Sequence, residues 1–299
     1  MVSHPVRAER WLNAAVFGEF GVGKTHLVAT AMDVETMNDV LFIDIESGDL
    51  TLQERPTLDL IPIREYKKIQ KIYEWLKAHA NLRTLENKCI DIIKKLETKS
   101  ELNESEAKIL EAARTKLTET VDNMIRHQAR LIDPEKDPRN GELRRFKTVI
   151  IDSFTELQKL NMYMLMGIDI GKARLDEELA KPEWDEWGQT TNMTRLLVRT
   201  LRDMPYHVLL VCSEKIVEDK NKRATIVLNL PKALAAEVPG FLDMVGYYAM
   251  KTDANGNKAR ILFLQPGSGY QAKSRFPNSP AFLVNPTMQD IMKLVKSGG

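Results

Sequence analysis

A chain of 299 residues and 34.1 kDa has room for one large α/β domain or two small ones, and 43% hydrophobic with 28% charged residues excludes a disordered chain. Forty-three Lys and Arg against 42 Asp and Glu leave a net charge of +1, so a nucleic-acid or membrane-surface face would have to be local. Two cysteines, Cys89 and Cys212, exclude a disulfide framework and a four-thiolate zinc site, and no apolar run has signal-peptide or membrane-spanning length, so the expectation is a cytoplasmic protein without membrane contact.

In chain order, Leu12–Phe17 reads as a strand, Lys24–Met32 as a helix and Val40–Glu46 as a continuous apolar strand suited to a parallel sheet. Leu58–Ile63 is a further strand candidate, weakened by Pro62. From Glu65 to Phe146 the pattern turns helical. Ile69, Ile72, Tyr73 and Leu76 recur at helical spacing, as do Leu110, Leu117, Val121 and Ile125, and Asn103 with Glu106 predicts a capping box. Two or three antiparallel helices closed by a loop from Pro134 to Gly141 satisfy this stretch. The α/β alternation then resumes with Thr148–Asp152 as a strand, Ser153–Met166 and Trp184–Met204 as helices, and His207–Cys212 as a strand. Asn255-Gly256 between Val245–Met250 and Arg260–Leu264 predicts a hairpin, and Thr287–Val295 a closing helix. The expectation is a single domain over 1–299 carrying a helical-hairpin insertion at 65–146.

Residues Gly18–Thr25 read GEFGVGKT, which matches G-x-x-x-x-G-K-[ST] between a strand and an apolar-faced helix. Gly18, Gly21 and Gly23 let main-chain N–H groups turn inward around phosphate oxygens, with Val22 and His26 completing the loop and the helix start. Lys24 can reach the β- and γ-phosphates of ATP, and the Thr25 hydroxyl can ligate Mg²⁺. Asp152, ending TVIID, is placed as the metal-associated aspartate, a role compatible with capping the helix that follows. Glu46, ending VLFIDIE ahead of Ser47 and Gly48, is placed as the base that activates water, and Asp44 shares its strand face. Ser213, after HVLLVC, is a candidate sensor of the γ-phosphate, although polar residues end most buried strands.

With GEFGVGKT, FIDIESG, VIIDS, WDEWG, LLVCSEK and YQAKSR in place, the chain resembles the RecA-core P-loop ATPases. Within them it is similar to the compact phage-encoded ATPases of single-strand annealing and recombination. The resemblance covers Trp11–Ile63 and Phe146–Val295. It implies a RecA-like α/β fold with a mostly parallel central sheet, C-terminal hairpins and the helical insertion. It also implies Glu46 as catalytic glutamate, Asp152 as the Mg²⁺ residue, and Lys273 and Arg275 as cations reaching a neighbouring subunit's γ-phosphate. Without it, Lys273 and Arg275 read as charges sharing one face of an exposed strand. Relatives usually carry Gln or His where this chain has Ser213.

Single-stranded DNA is the partner the resemblance implies, with self-assembly into a ring or filament and a single-strand-binding or replication protein as a further partner. Host cytoplasm is the implied location for a phage-encoded chain. Candidate DNA contacts are Lys215, Lys220, Lys222 and Arg223. Lys172, Arg174 and Lys181 near Trp184 and Trp187 form a second basic cluster, interrupted by acidic residues. The function expected is therefore a Mg²⁺-dependent, DNA-stimulated ATPase. The rivals are a nucleotide-gated loader that grips a protein through the insertion, and a small-molecule P-loop kinase.

Overall fold

The computed structural model describes residues 11–46, 51–133, 135–172, 176, 178–218, 220, 222–252 and 256–297. Ser47, Gly48, Pro134, Arg174 and Asn255 lie outside the described residues. Contacts divide the chain into one unit of residues 1–67 and 146–299 and a second of 68–145.

In the first unit, β1 (Asn13–Gly18) leads through the glycine-rich loop into α1 (Lys24–Ala29), which tightens into a 3₁₀ turn at Thr30–Asp33. Strands β2 (Val40–Asp44) and β3 (Asp59–Pro62) follow, then helix α2 (Lys67–Glu97), which leads into the second unit with α3 (Glu104–Gln128). Pro62 is tolerated because β3 is the last strand in the sheet order, at an edge. The chain returns as β4 (Thr148–Asp152), α4 (Phe154–Leu165), α5 (Trp184–Arg202) and β5 (His207–Glu218). It finishes with β6 (Ala224–Leu228), α6 (Lys232–Phe241), β7 (Met244–Thr252), β8 (Lys258–Phe263), β9 (Lys273–Ser274), β10 (Phe282–Val284) and α7 (Met288–Ser297).

The sheet runs β10-β8-β7-β1-β5-β4-β2-β3, with β6 on β5 and β9 on β7. β7, β1, β5, β4, β2 and β3 are mutually parallel, whereas β8, β10, β6 and β9 pair antiparallel. This is an α/β fold with a mostly parallel central sheet, in which β5 separates the phosphate-loop strand β1 from β4. Parallel strands share their carboxyl edge, so β1, β2 and β4 end at Gly18, Asp44 and Asp152 on one side of the sheet, where Ser213 of β5 lies level with Gly18. Val16, Phe42, Ile150 and Leu209 from the sheet, with Leu27, Val28, Met288 and Ile291 from helices, form the core on one face. Burying each such side chain stabilises the fold by about 1.5–3 kcal/mol.

Two elements differ from the sequence reading. β5 runs to Glu218 rather than ending at Cys212, because its outer half pairs with β6, register Glu214↔Leu228 to Glu218↔Ala224. Helix α6 escaped prediction since it is bounded by Pro231 and carries Pro239 in its last turn. On α5, Trp184 is 92% exposed at the first turn, and the helix buries Thr190, Thr194, Val198 and Leu201.

In the second unit, α3 opens on the expected capping box, with Asn103 Oδ1 accepting from Glu106 N at 2.9 Å. The buried stripe of α3 is Leu110, Ala113, Thr120, Met124 and His127, so Ile125, expected inside, is half exposed and Met124 takes its place. The Trp75 ring stacks between His79 and His127 at centroid distances of 5.0 and 4.6 Å, and its Nε1 donates to the His127 carbonyl at 2.9 Å. Arg144 and Asp137 form a fully buried pair.

Candidate functional site at the phosphate loop

The loop between β1 and α1 is shaped by its glycines. Gly21 and Gly23 adopt φ of 74° and 97°, a region that side chains disfavour, and Gly23 is the N-cap of α1. No side chain caps that helix and its first turn has no acidic residue, so its leading N–H groups and partial positive charge face the loop unopposed. Gly18 is needed for a different reason. A Cβ there would lie 2.0 Å from the Tyr248 carbonyl oxygen on β7, and main chain on both sides leaves nothing to move aside. Gly18→Ala should therefore destabilise the protein by about 1–3 kcal/mol, read as a lowered Tm in thermal denaturation; an unchanged Tm would contradict the close approach.

Lys24 is buried, and its Nζ donates to the carbonyls of Gly18 at 2.9 Å and Glu19 at 2.7 Å, folding the side chain back over the loop. Burial holds its ammonium below the ordinary lysine range, while Asp152 and Glu46 pull the other way. Thr25 Oγ1 donates to Asp152 Oδ2 at 2.6 Å, bringing together two oxygens 127 residues apart in sequence. Burial pushes the Asp152 carboxyl up to about 6; the Thr25 hydroxyl opposes the rise, Glu46 adds to it and Lys24 opposes it. The oxygen-only donor set of Thr25 and Asp152 beside a lysine suits a hard divalent ion such as Mg²⁺, whose charge would favour the ionised carboxylate.

Glu46 is exposed just past β2, and its Oε1 accepts from the Ser153 hydroxyl, the residue after Asp152. The same Ser153 oxygen caps α4 by accepting from Glu156 N at 3.2 Å. One serine thus links the strand ends that carry Asp152 and Glu46. Asp44, by contrast, is buried and has the Arg64 guanidinium 3.6 Å away, with Arg64 Nη1 also donating to the carbonyls of Asp44, Ile45 and Ile63. Arg64, missed in the sequence, ties the carboxyl ends of β2 and β3 together; an arginine directly after an apolar strand was its only signal.

Ser213 is buried, its N–H donates to Thr155 Oγ1 at 3.2 Å, and its hydroxyl accepts from Asn229 Nδ2 at 3.0 Å. Asn229, which the sequence did not single out, places a carboxamide beside the candidate sensor. Glu214, next along β5, has its Oε2 buried without a hydrogen-bond partner, and burial, with Glu19 nearby, pushes its carboxyl above the ordinary glutamate range. Val22 is buried within the loop and His26 is exposed on α1.

Lys273 and Arg275 lie elsewhere. Lys273 pairs with Val245, which is level with Ala15 on β1, toward the opposite end of the strand from Gly18. Its Nζ donates to the carbonyls of Pro239 (2.5 Å) and Leu242 (3.0 Å), while Arg275 donates to Gly240 O at 2.7 Å and approaches Asp243 at 3.3 Å. Within its own chain this pair serves the carboxyl end of α6, where cations complement exposed carbonyls.

A glycine-shaped loop, a buried lysine and a threonine hydroxyl on a strand-end aspartate form the constellation of a nucleotide-binding P-loop, and residues 11–276 match the family described as AAA domain. The chain belongs to the AAA domain family. That match spans the whole sheet as far as β9 and includes the helical second unit, so the AAA-type P-loop ATPase domain is not confined to the loop motif. AAA-domain membership implies nucleotide binding, usually with Mg²⁺. Among solved structures, the flagellar accessory protein FlaH from Methanocaldococcus jannaschii is similar at a TM-score of 0.36 and 11% identity, over 91% of this chain and 84% of that one. No curated protein matches the chain. Among the described residues, no helix is long and apolar enough to cross a membrane.

Proposed function

We propose that this AAA-domain protein binds ATP with Mg²⁺, hydrolyses it, and couples turnover to single-stranded DNA. The observation that carries the reading is the Thr25–Asp152 contact at 2.6 Å, continued through Ser153 to Glu46. In this reading the main-chain amides of the loop and Lys24 bind the triphosphate. Thr25 and Asp152 hold Mg²⁺, which when bound neutralises charge on the phosphates. Glu46 orients water and takes its proton, with the Ser153 hydroxyl holding the carboxylate in place.

The DNA contact is assigned to the β5–β6 hairpin. It extends past the carboxyl edge of the sheet, on the side of the phosphate loop, with Lys220, Lys222 and Arg223 exposed around its tip and Ile216 and Val217 exposed on its shaft. Cations beside apolar side chains suit a flexible polyanion with unstacked bases. Lys215 contributes less, because its Nζ is engaged by the Leu230 carbonyl. Lys273 and Arg275 act, in this reading, on the phosphates of a neighbouring copy in a head-to-tail assembly, since in their own chain they sit at the other end of the sheet. Phage-type annealing or recombination is the setting that follows from the motifs shared with those ATPases.

Phosphate release with and without single-stranded DNA tests the proposal. The wild type should hydrolyse ATP without any acceptor and accelerate with DNA by about an order of magnitude at low salt. Lys220→Glu, Lys222→Glu and Arg223→Glu together should remove the acceleration. Hydrolysis indifferent to DNA in the wild type would overturn the DNA assignment, and release of phosphate only with a small-molecule acceptor would make the protein a kinase.

A further inference from the structure

We propose that Arg260 is a positioning residue of the nucleotide site, fixing the outer wall of the phosphate loop from two strands away in the sheet. This rests on the nucleotide-binding reading above and adds a residue that the loop motif does not contain. Arg260 lies on β8, two strands from β1 in the sheet, and its Nε donates to the Val22 carbonyl at 2.9 Å across 238 residues. The guanidinium lies against the loop itself. A Cβ on Gly23 would sit 3.1 Å from Nε and 3.5 Å from Cζ, so a side chain there would press on the guanidinium in addition to the strain of φ 97°.

The arginine's own main chain is pinned. Arg260 N donates to Asn285 Oδ1 at 2.9 Å, and Asn285 N returns a bond to Arg260 O at 2.7 Å, with Asn285 in the left-handed region at φ 44°. Asparagine tolerates that conformation better than most residues, and its short amide reaches the neighbouring strand. β8 is further held by pairing with β7 on one side and β10 on the other. A loop that turns its N–H groups inward to phosphate must turn carbonyls outward, and the carbonyl of Val22, the buried residue of this otherwise exposed stretch, gains from a donor. Arg260 supplies that donor and a fixed positive charge behind the anion. Arg260 therefore acts through the Val22 carbonyl and the loop backbone, making phosphate affinity depend on how β8 and Asn285 are seated.

Titration of the full chain with a fluorescent ADP analogue, paired with steady-state ATP hydrolysis, tests this. Arg260→Ala should weaken nucleotide binding about tenfold and raise KM correspondingly, with kcat within about twofold at saturation. Arg260→Lys, which keeps the charge and a donor, should recover most of the affinity, and Asn285→Ala should shift Kd in the same direction by less. Lys24→Ala serves as the control for the site. Wild-type affinity in Arg260→Ala, or equal losses in the Lys and Ala variants, would overturn the positioning role while leaving the phosphate loop intact. No binding by the wild type would instead overturn the nucleotide site and this inference with it. Should Arg260→Ala fail to fold, Arg260→Met, which keeps the length but removes the donor and the charge, and Asn285→Ala carry the test, and wild-type Kd in both would overturn it.

Discussion

Replacing Lys24 by alanine should weaken ATP binding by at least about a hundredfold and remove measurable hydrolysis, with little change in Tm. The side chain is buried, and its Nζ lies against the carbonyls of Gly18 and Glu19 at 2.9 and 2.7 Å. Each charge-assisted bond from an ammonium to phosphate is worth roughly 1.5–3 kcal/mol, so losing two exceeds a factor of a hundred in affinity. A second effect works in the same direction. Lys24 offsets the charge of Asp152 and Glu46, and without it those carboxylates repel the incoming anion. The folded state loses only two bonds to main-chain carbonyls, which water can replace. Equilibrium titration with an ATP analogue, beside a thermal melt, checks both halves; affinity within a few-fold of wild type would show that the loop does not grip phosphate.

Glu46→Gln should separate binding from chemistry. Nucleotide affinity should stay within a few-fold of wild type while kcat falls by about 10²–10⁴. The residue stands just past β2, outside the loop, so it adds little to phosphate binding. An amide oxygen can still accept from Ser153, so the local geometry has no reason to change, and only the capacity to take a proton is lost. Single-turnover hydrolysis with pre-bound ATP measures that step directly. Rapid turnover in the variant would remove Glu46 from the mechanism and direct attention to Glu214, a further carboxylate near Lys24.

Much of this site was legible because local sequence carries it. GEFGVGKT encodes its own turn, and VLFIDIE and TVIID are apolar runs whose last acidic residue falls where a parallel strand meets the loop edge. Shared strand direction then brings Gly18, Asp44 and Asp152 together without further information. What remained hidden depends on side chains meeting across long separations. Arg260 touches Val22 only because β8 folds back beside β7, and Asn229 reaches Ser213 only because β6 returns antiparallel on β5. The helical stretch shows the same limit. Its periodicity was plain, yet Ile125 and Met124 exchanged places, because one residue of helical phase (about 100°) decides which of two apolar neighbours faces inward. Asp44 and Glu46 shared a face in the strand pattern, but Arg64 claims the first and Ser153 the second, which sets one as a structural anchor and leaves the other for chemistry.

The most direct measurement is a crystal structure with Mg²⁺ and a non-hydrolysable ATP analogue. The β-phosphate should be cradled by the main-chain N–H groups around Gly23, Lys24 and Thr25, with Lys24 Nζ moved from the Gly18 and Glu19 carbonyls onto phosphate oxygens and the metal beside Thr25 and Asp152. Nucleotide bound elsewhere on the chain, or Lys24 still held by those two carbonyls with nucleotide present, would contradict it.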